Sequence, residues 1–415
     1  MPVQDNSGAL LDLIRSGGII SRVQLAAQSG LTEASVSRIV KQLISDGIVA
    51  ETGRGTSTGG KRPTLLQLNK SARHAVGIYL SDFRIRYVVT DLAGRVVAAT
   101  ESEDGTVHHT RADVVERSMK AIDALLIAAG VSRDTLLGIG IAVPGRQEIN
   151  TYQQNRYPGA WTEWDWRLIQ HDFAAAAGMP VEVENDSTCG ALGEFWISRS
   201  PASKDLAVVT VAAGIGFGLV TRGDVYRGAS SNVGEFGHVV VNVDGPACAC
   251  GSRGCLELYA APRSIVRDAL ADDMLRVRLG LTGDPDDVWG DFERIAAAAV
   301  SGDDDGARVV VVSAARILGA ALVSATNVLD LDRIVLTGPG LDLMGSLVAE
   351  TVAEELSERA FSRNVHPTEV RLSESGRDAA AVGAATLVIH RQLGAVRRVR
   401  TPATAEPAGG MRAAL

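Results

Sequence analysis

Three of the four cysteines in this chain, Cys248, Cys250 and Cys255, fall within eight residues, and His238 stands shortly before them. No other feature limits the fold as strongly. Three thiolates and one imidazole form a tetrahedral donor set of the kind Zn²⁺ favours, and four protein ligands leave no position open for water. The expected ion is therefore structural, not catalytic. Gly251 and Gly254 allow a short loop to turn back so that the sulfurs converge. The competing reading of the same residues is three buried or redox-active thiols, against which the tight spacing and the upstream histidine weigh. Cys189 stands apart and reads as a plain core thiol.

The remaining 400 or so residues of a 415-residue chain are enough for two to four domains, which rules out a small disulfide-stapled fold. No apolar run approaches the roughly 20 residues that span a bilayer, and the N-terminus lacks the basic-then-apolar order of a signal peptide. The expectation is a cytoplasmic protein with no membrane contact. The net charge of -8 is unevenly spread: residues 1–70 hold eight Lys/Arg against five Asp/Glu, so the net acidity lies entirely beyond residue 70. Any nucleic-acid contact is expected from the front alone.

That front carries a matching pattern. Leu10, Leu11, Leu13 and Ile14 mark a first helix, and Val23, Leu25 and Ala26 a second behind a Ser21 cap. Val36, Ile39, Val40, Leu43 and Ile44 mark a third behind Thr32. Ser29-Gly30-Leu31 is a tight turn between the last two, as in a helix-turn-helix. With the apolar stripe buried, Thr32, Ser35, Ser37, Arg38, Lys41 and Gln42 are left to meet base edges and phosphates of double-stranded DNA. Residues 48–51 and 65–68 read as the two strands of a wing with a flexible tip at 53–60, decorated by Arg54, Lys61 and Arg62. The bland alternative is a helical protein-interaction module with a solvated basic hairpin. Residues 1–70 are thus expected to be a winged helix-turn-helix domain.

From residue 73 strands and helices alternate, which means an α/β domain. A strand meander (75–80, 84–91, 95–100), a helix (112–129), a strand (136–143), a helix (165–177) and a strand (181–184) are followed by a similar meander at 206–212, 215–221 and 224–226. Two such halves predict an internally duplicated fold with a cleft between lobes. The last strand of the second half is expected at 333–337, and a helix at 379–392 closes the chain. The Pro/Ala/Gly-rich residues 397–415 are expected to be a disordered tail.

Gly228-Ala-Ser-Ser-Asn-Val-Gly-Glu-Phe-Gly-His238, the cysteine loop and Leu256-Glu257 together resemble the motifs of the ROK family of repressors, open reading frames and sugar kinases. The resemblance covers nearly the whole chain. It implies duplicated actin/hexokinase-like lobes of RNase H type: a first lobe at 73–185, completed by a C-terminal helix at about 375–396, and a second at 186–374 that holds the zinc site and an oligomerisation surface. Homodimers or homotetramers are implied, with zinc beside the sugar pocket. Glu235, His238 and Glu257 match the family's sugar-binding residues. Asn185 and Asp186 match its Asn-Asp pair, in which the aspartate of the kinases deprotonates the accepting hydroxyl. The chemistry is reasonable on its own terms, because carboxylates chelate vicinal hydroxyls and a histidine with one nitrogen on zinc has the other free for sugar. The bland alternatives are that Asp186 caps a helix and that the glutamates satisfy loop amides.

The phosphate-binding stretches depart from the kinase pattern. Tyr79 replaces an acid and Phe83 a hydroxyl in the first, Ala212-Ala213-Gly214-Ile215-Gly216-Phe217-Gly218 is half kept, and Gly338-Pro339-Gly340 has lost an amide donor to proline. Pro144-Gly145-Arg146 is either a cleft turn or a plain one, and the tryptophans of 157–166 read as interlobe packing more than sugar stacking. His108 and His109 read as a solvated loop, and 303–305 as a helix-capping turn. The expected function is a sugar-responsive repressor that binds a sugar effector without phosphorylating it. The runners-up are a DNA-binding hexose kinase and a regulator for which zinc is itself the signal.

Overall fold

Side-chain caps fix the start of the helices at the front of the chain. In the computed structural model, which describes residues 7–55, 62–81, 84–102, 104–106, 109–145, 165–197, 205–221, 224–229 and 233–393, Ser21 caps α2 (Arg22–Ser29) in a reciprocal box with Gln24. Thr32 caps α3 (Glu33–Ser45), accepting from the Ser35 amide, and Gly30 makes the left-handed turn between them at φ 70°. Together with α1 (Ser7–Gly17), these helices bury Leu10, Leu11, Ile14, Leu25, Val36, Ile39, Val40 and Leu43. Val23 departs from the expected stripe and is 59% exposed. Strands β1 (Ile19–Ser21), β2 (Val49–Arg54) and β3 (Thr64–Leu68) form a sheet in the order β1-β3-β2, which is the wing. Lys61, Phe83, Arg146, His108, residues 157–164 and the tail 397–415 lie outside the described residues.

The duplication is literal. Strands β4 (His74–Leu80), β5 (Ile85–Asp91), β6 (Val96–Glu101), β7 (Leu136–Val143) and β8 (Val181–Asn185) form one sheet in the order β6-β5-β4-β7-β8. Strands β9 (Leu206–Val211), β10 (Ile215–Thr221), β11 (Asp224–Val225), β12 (Arg333–Thr337) and β13 (Glu369–Leu372) repeat it as β11-β10-β9-β12-β13. In each, an antiparallel meander is extended by two parallel strands. The final strand is thus β13, not β12. Sequence periodicity misses β13 because it is a four-residue edge strand whose Glu369 and Arg371 break the apolar pattern.

Helices α4 (Arg111–Ala129) and α5 (Trp166–Ala177) cover one face of the first sheet. The far face of the second is covered by α8 (Pro262–Leu270), α10 (Val288–Ser301), α11 (Asp305–Leu329) and α12 (Gly345–Arg359), beside the short α7 (Glu257–Ala260) and α9 (Asp273–Leu279). Asp304 caps α11 as its acidic turn predicts. Contrary to the sequence expectation, α11 is long and apolar enough to cross a membrane by composition. Its apolar stripe, including Val311, Leu318 and Leu322, is instead part of the second lobe's core.

Two helices lie between the sheets, α6 (Asp186–Ile197) on β9 and β10, and α13 (Ala379–Leu393) on β4 and β7. They meet each other at backbone distance. A Cβ at Gly383 would sit 1.6 Å from the Cys189 carbonyl oxygen, and at Gly77 and Gly140 1.8 Å from carbonyls of α13. The winged domain joins this centre through one continuous apolar cluster in which Leu10 and Ile14 share a core with Ala75, Leu92, Trp196, Val388 and Ile389. Arg15 of α1 lies 4.2 Å over the Trp196 ring and donates to the Trp196 carbonyl at the end of α6.

Gly383→Ala is expected to lower stability by about 3 kcal/mol or more, since backbone cannot give way as a side chain can. Val243→Ala, at a 79% exposed site, should change it by less than about 0.5 kcal/mol. Urea unfolding of both variants measures the contrast.

Candidate functional site

The strand-to-helix junction at Asn185 organises the cleft. The Asn185 side chain accepts from the amides of Ser187 and Thr188, at 2.9 and 3.0 Å, and donates to the Gly145 carbonyl. Asn185, not Asp186, therefore caps α6. That leaves the Asp186 carboxylate facing the cleft, with one oxygen 2.7 Å from the Ser187 amide and the other receiving the Tyr79 hydroxyl at 3.3 Å. Burial pushes its pKa up to about 6, and the charge of Glu235 adds to the rise. Glu184, just before it, is 3% exposed and is held by both forks of Arg227, at 3.0 and 3.1 Å.

Across the cleft, a short 3₁₀ turn places Glu235 and His238 together, with His238 Nε2 4.0 Å from the Glu235 carboxylate. His238 Nδ1 points the other way and lies 3.6 Å from Cys248 Sγ, while Cys250 and Cys255 Sγ are also 3.6 Å apart. All four donor atoms lie within 4.8 Å of one another. A tetrahedral zinc with bonds near 2.3 Å to sulfur requires donors about 3.7 Å apart, whereas a disulfide brings sulfurs to about 2.05 Å. The spacing fits the ion and excludes a bridge between Cys250 and Cys255. Burial and the two neighbouring thiols push Cys255 up to about 12, so its thiolate forms only with a cation beside it. Gly254 is obligatory in the loop: at φ 61° a Cβ would stand 1.6 Å from the Asn242 carbonyl.

Glu257 opens α7 two residues beyond the last cysteine, and its carboxylate fits against Gly214 and Gly237. Asn185, Asp186, Glu235, His238 and Glu257 thus line one cleft of about 510 Å³. The glycines of the second phosphate-like stretch have packing roles: a Cβ at Gly216 or Gly218 would strike Ser187 of α6, and one at Gly214 would strike Glu257. Further along, Arg377 pairs with Asp342 at 2.6 Å across the lobes, while Arg86 pairs with Asp378 at 2.5 Å and Arg84 with Glu101 at 3.1 Å within the first lobe and its C-terminal completion. Sequence reading missed these pairs and Arg227, since their partners are up to 292 residues away. It also missed Trp289, whose spacing with Phe292 and Glu293 along one helical face is visible in the sequence.

On the winged domain, Thr32, Ser37, Arg38, Lys41 and Gln42 are exposed along α3 and Ser35 is half-buried beneath Thr32, whose hydroxyl it meets at 3.0 Å. Arg54 is exposed at the end of β2, and Arg62 is exposed just before β3. An Arg22–Glu51 pair at 2.8 Å ties the wing to α2.

Residues 76–391 match the model of the ROK family, and residues 4–50 match that of a winged helix-turn-helix DNA-binding domain. The chain is 29% identical to a putative xylose repressor of Caldicellulosiruptor sp. (strain Rt8B.4) over 94% of its own length and 96% of the relative's. It is 30% identical to the DNA-binding transcriptional dual regulator NagC of Escherichia coli (strain K12), over 81% and 80%. Among solved structures, it resembles a ROK family transcriptional regulator homologous to E. coli MLC, with a TM-score of 0.71 at 24% identity over 94% and 96% of the two chains. It also resembles a ROK family glucokinase from Streptomyces griseus, with a TM-score of 0.62 at 27% identity over 76% and 98%.

Because the folded-state pKa of Asp186 lies above the ordinary carboxylate value, its protonated form stabilises the fold in acid, and that stability is lost as pH rises through about 6. Asp186→Asn should therefore be more stable than the parent at neutral pH, by roughly 1–3 kcal/mol. The advantage should shrink toward zero as the pH falls to about 4. Thermal unfolding across that range reads it out.

Proposed function

The chain belongs to the ROK family, and from that premise we propose that it is a sugar-responsive transcriptional repressor whose winged domain reads operator DNA and whose cleft binds a sugar without phosphorylating it. One observation carries the reading. Helix α6 begins with Asp186 in the cleft and ends at Trp196, against Arg15 of the winged domain. A rigid helix contacted by effector at one end and by the DNA-reading unit at the other converts lobe closure into a displacement of α3.

In this reading Asn185, Asp186, Glu235, His238 and Glu257 hold the sugar hydroxyls. Zinc on His238, Cys248, Cys250 and Cys255 supplies structure, fixing the His238 ring and the Glu257 turn. Asp186, the counterpart of a kinase base, serves as a hydroxyl acceptor, because Tyr79 stands where the kinase pattern has an acid and donates its hydroxyl to Asp186. The arginines lining the cleft, Arg84, Arg86 and Arg377, each face an acid and offer no net charge to a triphosphate. The alternative of a hexose kinase fused to a DNA-binding domain requires that charge. Thr32, Ser35, Ser37, Arg38, Lys41 and Gln42 face the major groove, while Arg54, Lys61 and Arg62 hold the backbone. One winged helix is a small interface, so a homodimer or homotetramer in the cytoplasm reads paired half-sites of the operators of carbohydrate genes.

Replacing both Arg38 and Lys41 by alanine should weaken operator binding steeply and flatten its salt dependence by about one unit of slope per lost phosphate contact. Gel shifts at several salt concentrations measure this, and affinity within about twofold of the parent removes α3 from the interface. Arg15→Met should keep both DNA and sugar affinity while abolishing the effect of sugar on DNA binding. The purified protein should hold one zinc per chain, with Cys250→Ser losing metal and sugar response together. Incubation with Mg-ATP and the best-binding sugar should yield no sugar phosphate; turnover near a typical enzyme rate of about 10 per second would establish the kinase instead.

A further inference from the structure

We propose that the effector is a disaccharide or longer glycan, with one ring held by the carboxylates at Asp186 and Glu257 and a second ring stacked on Trp289. This rests on the sugar-binding reading above and extends it. The cleft that contains Asp186, Glu235 and Glu257 is also lined by Trp289, Phe292, Glu293 and Leu343. At about 510 Å³, it is in the range that encloses drug-sized ligands and has more room than one pyranose fills.

Trp289 and its neighbours make a sugar platform. Trp289 donates its indole N–H to Glu293 at 3.1 Å, one turn along α10, which fixes the plane of the ring. Phe292 supports it from the core, with ring centroids 5.2 Å apart and 45° between planes, and is itself 2% exposed. An indole face with an adjoining carboxylate offers a pyranose both of its binding modes, stacking on C–H groups and acceptance from hydroxyls. A purine base would find the same aromatic face. Its phosphates, however, would share the cleft with Arg84, Arg86 and Arg377, which are matched by Glu101, Asp378 and Asp342. The charge balance favours a neutral occupant.

The test is calorimetry on the full chain with matched pairs of probes: xylose and xylobiose, glucose and cellobiose, N-acetylglucosamine and chitobiose. In at least one pair the disaccharide should bind about tenfold more tightly or better, the scale of one stacked ring. Trp289→Ala should bring that disaccharide to within about twofold of its monosaccharide while leaving the monosaccharide unchanged, and Trp289→Phe should retain most of the gain. Glu293→Ala, at an exposed position that does not threaten folding, should lose part of it. A monosaccharide that binds with no gain from a second ring in any pair overturns the proposal, as does a gain that survives Trp289→Ala. AMP binding abolished by Trp289→Ala would assign the platform to a purine. Failure of every sugar of either length would overturn the repressor reading itself, and this proposal with it.

Discussion

The backbone contact between α6 and α13 is the constraint on which everything else in the molecule depends. Two sheets can share a centre only two helices thick if those helices touch each other and their sheets without intervening side chains. Gly383 against Cys189, Gly77 and Gly140 against α13, and Gly218 against Ser187 make that approach possible. Each is a position where a methyl group would meet a carbonyl oxygen, so the arrangement tolerates no gradual loosening. The cleft lies where these layers diverge, and Asp186 faces it because α6 must start at that point to reach the second sheet.

Much of this architecture is legible in the sequence, for reasons that are local. Ser21, Gly30 and Thr32 announce the helices they cap or separate, since caps act over three residues and leave a written trace. His238, Cys248, Cys250 and Cys255 lie close together in the chain, so their spacing alone implies convergence. The duplicated meander shows as two stretches of alternating apolar runs. Family resemblance, not periodicity, supplies the assignment of Asn185, Asp186, Glu235 and Glu257.

The illegible part depends on partners distant in the chain. Arg86 and Asp378 carry no mark of each other, nor do Glu184 and Arg227. The glycines of 214–218 read as the remnant of a phosphate loop, but space filled by Ser187 and Glu257 explains them. Tyr79 reads as a loss relative to the kinases, yet its hydroxyl completes the hydrogen bonding of a buried carboxylate. A substitution that removes one chemistry can thus stabilise the residue left behind. Val23 shows the opposite error, an apolar residue counted into a core that it does not enter.

The apolar cluster shared by the winged domain and the first lobe bears on how such regulators diversify. Leu10 and Ile14 share one apolar cluster with Ala75, Leu92, Val388 and Ile389, and Arg15 rests on Trp196, so the two units are complementary surfaces and not beads on a tether. A chimera that joins this reader to another receptor at residue 70 would expose both halves of that surface to water. Transplanting the winged domain onto a new receptor therefore means substituting only its outward face, or carrying the mating residues of α6 and α13 along with it. New pairings of operator and effector are more accessible by substitution within each unit than by recombination between them.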